Sequence, residues 1–75
     1  GTAPAVLNAA NEVAVEAFLE NEIAYHEISQ VIESVMDAHV PTSVSDLEGI
    51  LKADAWARGE ARIFCHSAAS SAAGI

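Results

Sequence analysis

The stretch Pro4-Ala5-Val6-Leu7-Asn8-Ala9-Ala10-Asn11-Glu12-Val13-Ala14-Val15-Glu16-Ala17-Phe18-Leu19-Glu20 decides the fold. Its apolar positions Val6, Leu7, Ala10, Val13, Ala14, Ala17 and Phe18 recur at steps of three and four, the period of one helical face. Pro4 has no N–H and a preset φ, which suits a first turn, and Thr2 or Ala3 precedes it as cap. Glu12, Glu16 and Glu20 stack at i, i+4 on another face. Like charges at that spacing repel slightly, so this face is either solvated or meets a basic partner. Asn8 and Asn11 compete with the helix for backbone hydrogen bonds. They are expected either to bond within the bundle or to touch something outside this chain.

Two more helices follow. Asn21–His26 reads as an extended link in which Ile23 and Tyr25 anchor into the core. A second helix starts near Glu27, an acid that the helix dipole favours in a first turn, and carries Ile28, Val31, Ile32, Val35 and Met36. It ends near 38–40, because Pro41 pushes its predecessor out of α geometry. His39 then lies at the dipole's negative end. Ser45-Asp46-Leu47-Glu48 fits a capping box and opens a third helix, with an apolar set of Leu47, Ile50, Leu51, Trp56, Ala57, Ala61 and Phe64. This helix is expected to reach about Ala68. The uncharged remainder, residues 69–75, is expected to be a flexible tail. The fold class is therefore all-α, a small bundle of three helices, with no strand.

Composition sets the outer limits. A chain of 75 residues with 16 alanines holds one small domain, and at this size burial is modest and stability marginal. The net charge of −8 argues against nucleic acid, which needs a basic face, and against anionic lipid. No apolar run approaches a membrane span, and no signal peptide is visible. A single cysteine, Cys65, cannot form an internal disulfide. The first residue is Gly1 rather than methionine, as expected of a piece of a longer chain. Charge is uneven: residues 1–45 carry −7 and residues 46–75 carry −1. Arg58 and Arg62, one turn apart, are placed to pair with the acidic face of the first helix.

No chemistry-bearing pattern stands out. The metal-ligating types are His26, His39, Cys65, His66, Asp37 and the glutamates, but the Glu-x-x-His pairs of a di-iron bundle and the short Cys/His pairs of a zinc site are missing. Cys65 and His66 are neighbours and do not face each other on a helix. Gly1-Thr2-Ala3 is too slight for a phosphate loop. Glu12 and Glu16 as a general acid/base pair is weighed against the commoner solvated face.

Gly1-Thr2-Ala3-Pro4-Ala5-Val6-Leu7-Asn8-Ala9-Ala10-Asn11-Glu12 resembles the start of the C-terminal helical domain of 1-deoxy-D-xylulose 5-phosphate reductoisomerase. The likeness continues through Val13-Ala14-Val15 and Ala17-Phe18-Leu19, resumes from Ile28 to Val35, and closes on Leu51-Lys52-Ala53-Asp54-Ala55-Trp56-Ala57-Arg58. Most of residues 1–65 are covered, and the Asn8–Glu12 core is specific. The resemblance implies that residues 1–68 are a fragment of an oxidoreductase that rearranges a sugar phosphate and reduces it with NADPH. The product is 2-C-methyl-D-erythritol 4-phosphate, in non-mevalonate isoprenoid synthesis. It also implies a divalent metal (Mg, Mn or Co) for the parent, homodimerisation of the parent, and a cytoplasmic or plastid-type location. The partners it implies are the nucleotide-binding and central catalytic domains of the same parent. The family's C-terminal domain has four helices, so the three here would belong to a four-helix bundle whose other member precedes Gly1. None of the family's catalytic, cofactor or metal positions falls on residues 1–75. The chain is therefore expected to be a structural domain, inert alone. The alternative is a free-standing acidic helical interaction module that binds through Glu12, Glu16 and Glu20.

Overall fold

A computed structural model describes residues 2–40 and 46–73, with side chains described as far as Ala68. The described residues form α1 (Ala3–Leu19), α2 (Glu27–Ala38) and α3 (Leu47–Ala73), with no strand among them. All three helices start close to where the periodicity puts them, and α1 and α2 also end there.

α1 is the central helix and packs against both others. Its buried positions are Val6, Ala9, Ala10, Val13, Ala14 and Ala17. α2 lays Val31 and Val35 against it, with Ile28, Ile32 and Met36 half-buried beside them. α2 runs antiparallel to α1: Tyr25, just before α2, meets Phe18 near the end of α1 with ring centroids 5.5 Å apart. At the other end, His39 meets Thr2. α3 runs parallel to α1, since Thr2 shares a cleft with Ala53 and Trp56, Glu12 meets Arg58, and Glu16 and Ala17 lie beside Arg62 and Cys65.

The end of α1 has a defined stop. The Asn21 N–H donates to the Phe18 carbonyl at 3.0 Å and the Glu22 N–H to the Ala17 carbonyl at 2.8 Å. This is the paired bonding of a Schellman motif. It requires a left-handed residue, and Asn21 has φ of 63°. The link is thus a tight turn rather than the extended segment expected. Ile23 is buried as expected, but Tyr25 is exposed, because the turn directs it over the edge of Phe18. The Glu27 carboxylate reaches back and accepts from the Ala24 N–H at 2.6 Å, closing the first turn of α2.

α3 differs most from expectation. The residues it buries are Ala57, Ala61 and Cys65, with Ala53, Phe64 and Ala68 partly buried, a ridge spaced mainly by four. Leu47, Ile50, Leu51 and Trp56 stay exposed. Small residues dominate the buried sets of both α1 and α3, and short side chains at a contact let two helices approach closely. The large side chains are displaced from that contact. Leu47, Ile50 and Leu51 also precede Ala53, which lies level with Thr2, so α1 has not yet begun beside them. The α3 cap is Asp46, whose carboxylate accepts from the Gly49 N–H at 2.9 Å. Ser45, the expected cap, lies outside the described residues. α3 continues to Ala73, five residues past the expected end. Ala and Ser fill that stretch, alanine is the best helix former, and no glycine or proline intervenes before Gly74.

Candidate functional site

Two clefts and one exposed helix face gather the candidate residues. The first cleft, about 410 Å³, lies between α1 and α3 and is bordered by Val13, Glu16, Ala17, Glu20, Glu22, Arg62, Cys65 and His66. It holds two of the three stacked glutamates. The third, Glu12, is engaged elsewhere: its Oε2 accepts from the Arg58 Nη2 at 2.7 Å. The Arg58 Nε donates to Asp54 at 3.0 Å. These two carboxylates, Glu12 foremost and Asp54 second, hold the Arg58 guanidinium above its already high pKa. Arg58 therefore pairs with the first helix as expected. Arg62 borders the acidic cleft, with no ion pair among the described residues.

Cys65 and His66 border the same cleft, although they are neighbours in the helix. Cys65 is 2% exposed, and burial pushes its thiol up from its ordinary pKa, with the nearby charges of Glu22 and Glu27 adding to the effect. A nucleophilic cysteine needs the opposite, a stabilised thiolate. The arrangement makes Cys65 a packing residue.

The second cleft, about 400 Å³, lies at the end where α1 begins, between Thr2, His39, Lys52, Ala53 and Trp56. Thr2 occupies the N-cap position of α1 without a side-chain capping bond. Its buried hydroxyl instead lies 3.0 Å from the His39 Nε2. The other side of His39 rests near Trp56, with ring centroids 5.8 Å apart. His39, expected only near the dipole end of α2, thus ties together the start of α1, the end of α2 and the side of α3. Residues 37 positions apart in sequence give no local signal of such a contact.

The remaining ligand types are scattered. His26 is the exposed N-cap of α2, and Asp37 is exposed. Among the described residues, no three His, Cys, Asp or Glu side chains lie together to hold a metal ion. The Glu12–Glu16 pair is not available as a general acid and base, because Glu12 is bound to Arg58. The face that has no internal partner is the outer side of α1, with Leu7, Asn8, Asn11 and Leu19 exposed.

Geometry therefore defines a class first: an acidic three-helix module with a core of mostly small residues, one ion pair between helices among the described residues, and outer helix faces left uncovered. The family described as the DXP reductoisomerase C-terminal domain matches residues 1–60, and the chain belongs to that family. A 1-deoxy-D-xylulose 5-phosphate reductoisomerase from Moorella thermoacetica is 62% identical over 61 residues, 81% of this chain and 16% of the relative. The protein of the same name from Thermodesulfovibrio yellowstonii is 56% identical over 62 residues, 83% of this chain and 16% of its own. That from Chlorobium chlorochromatii is 50% identical over 64 residues, 85% and 17% respectively. The chain spans about one sixth of the length of the curated relatives it matches.

Proposed function

We propose that this chain is the structural C-terminal domain of a 1-deoxy-D-xylulose 5-phosphate reductoisomerase, supporting the parent's nucleotide-binding and central catalytic domains and supplying none of the reacting groups. The observation that carries the reading is the family match over residues 1–60. The local chemistry agrees with it: Arg58 is held by Glu12 and Asp54, and the one thiol is buried. The parent converts 1-deoxy-D-xylulose 5-phosphate to 2-C-methyl-D-erythritol 4-phosphate, NADPH supplying the hydride. NADPH and the divalent ion (Mg, Mn or Co) are assigned to the other domains, because the resemblance puts the family's cofactor and metal positions outside residues 1–75. The parent is a homodimer in the cytoplasm or a plastid-type organelle. Among the described residues, no helix is long and apolar enough to cross a membrane.

The test is NADPH oxidation in the presence of substrate and metal. The full-length parent turns over, the 75-residue chain alone does not, and the parent shortened by this domain loses activity together with its cooperative melting. Turnover by the 75-residue chain, or full activity in the shortened parent, overturns the reading.

A further inference from the structure

We draw no further inference here: the strongest candidate, the exposed apolar patch of Leu47, Ile50, Leu51 and Trp56 on the first half of α3, carries nothing, because nothing in the structure shows what covers it and a fourth helix there only restates the bundle that the family resemblance implies.

Discussion

Arg58 on α3 donates to Glu12 on α1 at 2.7 Å across 46 residues of sequence, and the same guanidinium is held from behind by Asp54 one turn away. The i, i+4 pair with Asp54 orients the fork, and the fork fixes α3 along α1. Arg58→Ala is expected to lower stability by roughly 0.5–1 kcal/mol. The figure is modest because water screens the pair, the Glu12 side chain being 53% exposed. Denaturant melts at low and high salt check it: the loss shrinks with salt if the contact is an ion pair. A salt-independent loss of several kcal/mol would mean that the arginine stem, not its charge, is what matters.

The buried thiol of Cys65 makes stability fall at alkaline pH. Its folded pKa is raised, so the native state holds the proton more tightly than the unfolded chain. Its contribution is full below the ordinary value of 9.0 and is lost as pH rises from there through the folded value. Melting midpoints across that window should decline in the native sequence and decline less in Cys65→Ala. Parallel declines in the two proteins would show that the thiol is not protected by folding.

Two neighbouring small residues of α3 should respond in opposite directions. Ala57 is fully buried against the core, and Ala57→Leu should cost about 1–3 kcal/mol by overpacking. A Cβ built on Gly59 meets nothing within 4 Å, and Gly59→Ala should add about 0.5–1 kcal/mol through helix propensity. Urea unfolding of both variants reads the difference directly. If Gly59→Ala destabilises the full-length parent, something outside this chain approaches that glycine.

Asn21 carries the left-handed step that ends α1. Asn21→Gly should be neutral or slightly stabilising, while Asn21→Val should cost about 1–2 kcal/mol, the penalty of a branched L-residue in that region. Circular dichroism melts check the order. Equal midpoints would mean that the turn can close without a left-handed residue.

Helix number, order and most ends were legible in the sequence, because they follow from local physics: a 3.6-residue stripe, Pro4 at a first turn, Glu27 at another, and a capping sequence before Leu47, although the described cap is Asp46 rather than Ser45 and α3 runs on to Ala73. So was the family, since Asn8–Glu12 and Leu51–Arg58 are distinctive strings. The Arg58–Glu12 pairing was also in reach, because one nearly uncompensated acidic helix and one short run of arginines have few ways to meet.

What only the tertiary structure decided was which apolar residues the third helix buries. The apolar stripe read from the sequence takes in Leu47, Ile50, Leu51 and Trp56 together with Ala57, Ala61 and Phe64; the two alanines are buried and Phe64 partly so, while the other four are exposed. Packing ranks shape: the buried set of α1 is mostly alanine (Ala9, Ala10, Ala14 and Ala17), close approach of two helices is easiest where side chains are small, and the large side chains are then turned out. The same reason hid the contact between Thr2 and His39, which exists because α2 returns antiparallel along α1 and brings its end beside the start of α1. Local propensity is fixed by the chain; the choice of which face meets which is a property of three helices fitted together.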